Sequence, residues 1–143
     1  MALCHRTGAG GAVLSSSGLI RVAYFLAAIA VGCSAWGTHR LQETADPASL
    51  GQWEIGCRFL FWHAIGIWIC GASGRVGQGR LMLLATVLFC GSLLLLAGGG
   101  PSLLRWLTPL GGSGLLLSWG WLGLDRGAMA SINKGVVLPK IVD

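Results

Sequence analysis

The stretch of residues 81–124 limits what this chain can fold into more than any other part of the sequence. It consists of two apolar segments joined at residues 98–101, and Arg105 is its only charged residue. Bilayer hydrocarbon offers no hydrogen-bond partner to a backbone N–H or C=O group, so an apolar run of this length is helical in a membrane. The stretch therefore predicts a pair of membrane helices joined by a turn.

The composition of the chain argues against a soluble protein. Apolar residues make up 54% of the 143 residues and charged residues 10%, against about a quarter charged in typical soluble domains. The formal net charge is +5, but the ten Lys and Arg residues are scattered and form no patch interleaved with aromatic residues, so nucleic-acid binding is not expected. The five cysteines form no CxxC pair, and we predict no disulfide framework.

Four apolar segments predict an all-α integral membrane protein with four transmembrane helices. Ser49 and Gln52 form a capping box, which places the start of the second helix at Leu50. The fourth helix begins at Pro109 with Thr108 as its cap, or earlier with a kink at Pro109, and we favour the first alternative. The predicted segments are an N-terminal extension at 1–18, helices at 19–36, 50–72, 81–97 and 109–124, a polar connector at 37–50, a glycine-rich turn at 71–79 and a C-terminal tail at 125–143.

The distribution of basic residues predicts the orientation of these helices. Loops on the cytoplasmic or matrix side are enriched in Lys and Arg. Seven such residues fall on the side of the two termini and three on the other side, so both termini are expected on the matrix or cytoplasmic side. The first 17 residues contain three consecutive serines and no acid, which resembles a mitochondrial transit segment, although we favour a retained tail.

His63 is the one ionisable residue expected well inside the hydrocarbon, where such residues are candidates for function. A haem or metal site would need a second ligand at the same depth, and a proton relay would need acids along its path. We therefore favour an inter-helix polar site in which a neutral His63 hydrogen-bonds to Ser34, Ser92 or a backbone carbonyl, and we predict no metal site and no catalytic residue. Nearer the surface, Glu54 and Arg58 are spaced to pair on one helix face.

Three arginines are expected to cluster on one membrane face, at the ends of the second, third and fourth helices. Such a group can bind an anionic phospholipid such as cardiolipin. Plain positive-inside signalling is the alternative, and it explains the same residues without a bound lipid. The residues are Arg75, Arg80 and Arg126.

Four short signatures in the chain resemble, in order, those of a known family. They are residues 32–39, 53–64, 89–93 and 108–112, with Trp119 closing the last. The chain thus resembles the family called domain of unknown function 423, which includes the transmembrane-protein-256-like proteins of mitochondria. The resemblance covers about residues 21–124 and implies a four-helix integral membrane fold with no established activity. The departures from the family pattern are Thr38, Arg40 and Leu94.

These features together predict a non-catalytic accessory subunit of a multi-subunit membrane complex. A mitochondrial respiratory complex of the inner membrane is the assembly we favour, with the bacterial plasma membrane as the alternative location. The partners would be other membrane subunits and anionic phospholipid, and no cofactor is expected. The alternative function is a stand-alone small membrane protein that binds or transports a small molecule near His63.

Overall fold

The computed structural model describes residues 15–125, and these residues form helices joined by short connections. The secondary structure of residues 15–125 is all helical, as predicted, and three helices, α1 to α3, are long and apolar enough to cross a membrane. Four spans stay a prediction. The elements are α1 (Ser16–Thr44), α2 (Pro47–Ala72), α3 (Val76–Ala97), a 3₁₀ helix (Ser102–Trp106) and α4 (Leu107–Leu124). The predicted C-terminal tail after Asp125 and the first 14 residues of the predicted extension lie outside the described residues.

The first helix is longer than its apolar segment. We predicted a connector at 37–50, but α1 continues to Thr44, and only Ala45 and Asp46 separate it from α2. The prediction was wrong because polar residues do not by themselves end a helix. No proline occurs before Pro47, so the residues of the last two turns of α1 can all adopt a helix. The buried Leu41 adds a packing contact that stabilises these turns.

The second helix begins at Pro47 and is capped by Asp46, so the predicted capping box at Ser49 is wrong. The Oδ1 atom of Asp46 accepts hydrogen bonds from the backbone N–H groups of Ala48 and Ser49, at 3.0 and 3.1 Å. Ser49 donates its hydroxyl to Oδ2 of Asp46 at 2.6 Å. Proline is favoured at the first helical position because its missing N–H would be unpaired there in any case.

The glycine-rich segment at 71–79 is helical over most of its length, which corrects the predicted turn. Only residues 73–75 separate α2 from α3. Gly79 is buried, and a Cβ added to it would lie 2.7 Å from Leu19 and 3.0 Å from the Cβ of Cys70. The glycine therefore allows α1, α2 and α3 to approach closely.

The fourth helix begins at Leu107, between the two alternatives that the sequence left open. The preceding 3₁₀ helix exposes Leu103 and Trp106 almost fully, as expected for a segment that lies along a membrane surface. Pro109 lies in the first turn of α4, where its missing N–H breaks no helical hydrogen bond. Thr108 does not cap the helix, because its hydroxyl hydrogen-bonds with Ser92 at 2.8 Å.

The four helices form an open array in which each packs against the next in the chain, and α1 does not pack against α4 within residues 15–125. We call the end that holds Ser16, the 73–75 turn and Leu124 the Arg75 end. The opposite end, with the α1–α2 connection and the 3₁₀ helix, is the Glu54 end. The main core lies towards the Arg75 end and consists of Leu19, Ala23, Ile67, Cys70, Met82, Ala85 and Leu115.

Candidate functional site

A cavity of about 680 Å³ opens between α1 and α2 at the Glu54 end. Its part nearer the middle of the helices is lined by apolar residues such as Val31 and Phe61, and Glu54 and Arg58 join apolar residues in the part nearer the α1–α2 connection. All eleven lining residues belong to these two helices, so the cavity is formed by α1 and α2 alone among the described elements. The lining residues are Ala30, Val31, Ser34, Ala35, Gly37, Leu50, Trp53, Glu54, Cys57, Arg58 and Phe61.

Trp53 forms one wall of this cavity and determines its shape. Its Nε1–H donates a hydrogen bond to the backbone carbonyl of Cys33 on α1, at 2.9 Å. Its indole also contacts Trp36, with ring centroids 5.3 Å apart, and occupies the place where a side chain at Gly37 would lie. The indole of Trp53 thus lies between α1 and α2 next to Gly37, which has no side chain. The cavity lies beside the indole.

Glu54 and Arg58 line the cavity without pairing to each other. The sequence spacing predicted an ion pair, but within residues 15–125 the structure places no carboxylate within salt-bridge distance of Arg58 and no cation within that distance of Glu54. Both side chains are exposed. The site therefore offers one acceptor-only anion and one donor-only cation, one helical turn apart, to a bound molecule.

The predicted polar site of His63, Ser34 and Ser92 is divided among three places in the structure. His63 Nδ1 lies 2.7 Å from the backbone carbonyl of Phe59, on its own helix. A carbonyl oxygen only accepts, so Nδ1 carries the proton and donates it. The imidazole also packs against the rings of Phe59 and Trp119, with centroids 5.7 and 6.2 Å away. The carbonyl alternative is the one observed, but it lies within the helix and not across helices.

The two serines have other surroundings. Ser92 donates to the backbone carbonyl of Phe89 at 2.9 Å and shares a hydrogen bond with Thr108, which joins α3 to α4. Ser34 lines the α1–α2 cavity instead. Of the three residues predicted to form one site, only Ser34 therefore reaches the candidate site.

The arginines predicted to bind lipid lie at the Arg75 end. Arg75 forms an ion pair with Asp125, and Gln78 donates a hydrogen bond to the same carboxylate oxygen at 3.0 Å. Arg80 is exposed, and Arg126 lies outside the described residues. The pairing gives Arg75 a structural role between the α2–α3 turn and the end of α4, and anionic lipid binding at this end stays a prediction.

Sequence reasoning missed Asp125 and Gln78 as partners of Arg75. One signal was available, since Asp125 is the only acid between Glu54 and the C-terminal Asp143 and falls on the side of the basic residues. It also missed the hydrogen bond of Trp53, which needs the position of α1. Within the described part of the chain, no group of three or more His, Cys, Asp or Glu residues is placed to hold a metal ion.

Comparison with known proteins gives the family. Residues 33–112 match the model of a family described as protein of unknown function (DUF423). The chain belongs to this family. The matched region contains the whole α1–α2 cavity apart from Ala30 and Val31, and it ends before Asp125. The resemblance seen in the sequence is thereby confirmed.

Relatives in this family occur in bacteria and in a yeast. The UPF0382 membrane protein YwdK of Bacillus subtilis is 34% identical over 101 residues, which cover 65% of this chain and 82% of the relative. The UPF0382 membrane protein C1782.12c of Schizosaccharomyces pombe is 32% identical over 108 residues, or 68% of this chain and 92% of the relative. No solved structure matches the chain. These relatives confirm that the DUF423 chain is a membrane protein.

Proposed function

We propose that this protein is a non-catalytic accessory subunit of a larger membrane assembly, bound through the outer face of α1. The observation that carries the proposal is the pair Ala28 and Gly32, which are both exposed and lie four residues apart on α1. A Cβ added to Gly32 would meet nothing within 4 Å. Small residues at this spacing let membrane helices approach closely, and this pair has no such neighbour within the described residues.

The open array of helices supports this proposal. α1 lies at its edge and is the least buried of the three candidate spans. Phe25 and Ile29, beside the small pair, are 71% and 51% exposed. Large apolar side chains next to a small-residue pair give a neighbouring helix a complementary surface of ridge and groove.

We further propose that α4 is a fourth span. Its 18 residues carry no charge and extend about 27 Å at 1.5 Å per residue. The distribution of Lys and Arg then favours both termini on the matrix or cytoplasmic side. The acid-free N-terminal segment favours the mitochondrial inner membrane, where a respiratory complex is the assembly we propose, with the bacterial plasma membrane as the alternative.

A small-molecule site at His63 has less support. The imidazole is buried and enclosed by Phe59 and Trp119, and the cavity at the Glu54 end does not include it. The proposal of an accessory role, without catalysis, accounts for the exposed face of α1 and needs no site at His63.

The test is extraction of the full chain in a mild detergent, native gel separation and mass spectrometry of the proteins that co-migrate. The wild type should co-migrate with other membrane subunits at a fixed ratio. Gly32→Leu should reduce this fraction about tenfold, because a large side chain prevents the close approach of the partner helix. Migration of the wild type as a monomer or homo-oligomer alone would refute the proposal.

A matched control variant is Gly120→Leu. Gly120 is an exposed glycine on α4, and a Cβ added there also meets nothing within 4 Å. Both substitutions add the same volume to an open helix face, so neither should disturb the fold of the chain. Equal loss of co-migration in both variants would show that the contact does not depend on the face of α1.

A further inference from the structure

The cavity between α1 and α2 combines an apolar floor with a pair of opposite charges, which is the pattern of an amphiphile site. Val31 and Phe61, in its deeper part, are exposed although both are large and apolar. Glu54 and Arg58 line the part nearer the surface, and neither has an ion-pair partner within residues 15–125. Its volume of about 680 Å³ is that of ordinary ligand pockets.

The contacts between α2 and α3 fix the depth of these charges. The rings of Phe59 and Phe89 lie 5.1 Å apart, so Arg58 is level with this part of α3. α3 ends at Ala97, about eight residues or 12 Å further towards the Glu54 end. If α3 spans hydrocarbon about 30 Å thick, the Cα of Arg58 lies roughly 10 Å inside it.

A charge at this depth is costly unless it reaches a partner. Helical side chains lean towards the N-terminus of their helix, which for α2 is the Glu54 end. The guanidinium of Arg58 therefore extends towards the lipid headgroups of that leaflet, along the wall of the cavity. A phosphate diester at this level would satisfy it, because arginine binds phosphate through two parallel N–H groups.

Glu54 determines which headgroup can bind on the side of that phosphate nearer the membrane surface. It lies one turn, or about 6 Å, nearer the surface than Arg58, and its carboxylate accepts hydrogen bonds but donates none. In a phospholipid the acyl chains lie deepest, the phosphate above them, and the headgroup amine outermost. Along α2 the order of these lining residues is the same: Phe61 deepest, then Arg58, then Glu54.

We infer that the α1–α2 cavity binds one zwitterionic phospholipid with a primary amine, of the phosphatidylethanolamine class. Arg58 holds the phosphate, Glu54 holds the ammonium group, and an acyl chain lies against Val31 and Phe61. A primary ammonium donates three hydrogen bonds to a carboxylate acceptor, whereas the quaternary ammonium of phosphatidylcholine donates none. This site is separate from the arginines at the Arg75 end, and it does not depend on the proposed assembly.

Native mass spectrometry of the purified full chain in detergent, titrated with a single lipid at a time, tests this inference. The wild type should bind one phosphatidylethanolamine about tenfold more tightly than phosphatidylcholine or phosphatidylglycerol, a difference equivalent to a single charge-assisted interaction. Arg58→Gln should weaken phosphatidylethanolamine binding about tenfold. Equal affinity of the wild type for all three lipids would overturn the inference.

Glu54→Gln sharpens the test, because it should change selectivity as well as affinity. Without the Glu54 carboxylate no like charge opposes the anionic phosphatidylglycerol, whose phosphate Arg58 still binds, so the preference for phosphatidylethanolamine should disappear. The controls are Arg21→Gln and Glu43→Gln, which remove exposed charges outside the cavity. Circular dichroism of each variant establishes that it is folded. A loss of binding in the controls as large as in Arg58→Gln would refute the site.

Since these measurements use the isolated chain, they succeed or fail independently of the co-migration experiment. A chain that binds the lipid and migrates alone would retain the lipid site and lose the accessory role. A chain that co-migrates with partners but shows no lipid selectivity would retain the role and lose the site.

Discussion

The two ends of the helical array differ in how well the space between α1 and α2 is filled. At the Arg75 end the core side chains of Leu19, Ile67, Cys70 and Met82 are fully buried, and an ion pair closes the surface. At the Glu54 end the same two helices enclose a cavity lined by Glu54 and Arg58, which have no ion-pair partner within residues 15–125. Both ends are made from the same apolar helices, so hydrophobicity does not explain the difference.

The size of one residue at each end explains it. At the Arg75 end Gly71 faces α1, and a Cβ added there would lie 3.0 Å from the backbone oxygen of Ser16. At the Glu54 end the glycine is on α1 and the facing residue, Trp53, is the largest amino acid. A glycine opposite ordinary side chains lets them fill the space, whereas the rigid Trp53 ring fills only the place next to Gly37 and leaves a cavity beside it.

The largest effect on this comparison is expected from Asp125→Asn, which removes the ion pair that closes the Arg75 end. The Arg75 and Asp125 side chains are 24% and 20% exposed, so the pair is mostly shielded from water. Loss of hydrogen bonds to a charged group should lower the free energy of unfolding by about 2 kcal/mol. Unfolding of the chain in mixed micelles by increasing dodecyl sulfate measures this.

A double-mutant cycle with Arg75→Gln separates the pair from other effects of Asp125. If the contact stabilises the chain, the double variant should be more stable than the sum of the two single losses predicts. Additive losses in the free energy of unfolding would show that the contact between Arg75 and Asp125 does not stabilise the Arg75 end. Glu43→Gln serves as the control, since it removes an exposed acid far from the Arg75 end.

A smaller effect is expected from Trp53→Phe at the Glu54 end. The phenyl ring keeps most of the apolar wall but loses the N–H that bonds to the carbonyl of Cys33. The free energy of unfolding should fall by about 1 kcal/mol, the usual net value of one hydrogen bond. Trp121→Phe is the matched control, because Trp121 is 50% exposed and should tolerate the change. Equal losses in both would remove the special role of Trp53.

The smallest effect is expected from pH at the Asp46 cap. The hydrogen bonds from Ser49 hold the pKa of the Asp46 carboxyl below its ordinary value of 3.8. A lowered pKa in the folded chain means that the cap stabilises α2 above the unfolded pKa and that this contribution is lost as pH falls through the folded pKa. Between pH 5 and 2, thermal unfolding should shift slightly more in the wild type than in Asp46→Asn. Identical shifts of the unfolding temperature in the two proteins would contradict this role of the Asp46 cap.

The membrane class and the order of the apolar segments could be read from the sequence, because burial in hydrocarbon is a property of whole segments. The positions where the helices begin and end could not be read from the sequence. The polar residues at 37–44 indicated a connector, yet nothing among them breaks a helix, and α1 continues through them to Thr44. The glycines at 77 and 79 indicated a turn, but both lie in α3. At Gly79 a glycine is needed because Leu19 and Cys70 pack where a side chain would lie.

The candidate site was harder to predict than the helices. Glu54 and Arg58 are four residues apart, and spacing alone predicts that they pair. Whether they do depends on what lies opposite, and the space beside Trp53 is set by Gly37 on another helix. His63 shows the same limit, since a polar partner on another helix was expected and the carbonyl one turn earlier in its own helix satisfies Nδ1.

The contact between Arg75 and Asp125 also bears on how the chain is made. The two residues are 50 positions apart, so the α2–α3 turn is synthesised well before its partner leaves the ribosome. If α4 is the fourth span proposed above, their contact forms only after this helix has crossed back to the side on which the turn lies. An insertion intermediate with α4 left on the opposite side would then hold the two charges a membrane thickness apart. The ion pair thus favours completed insertion over a partly inserted chain.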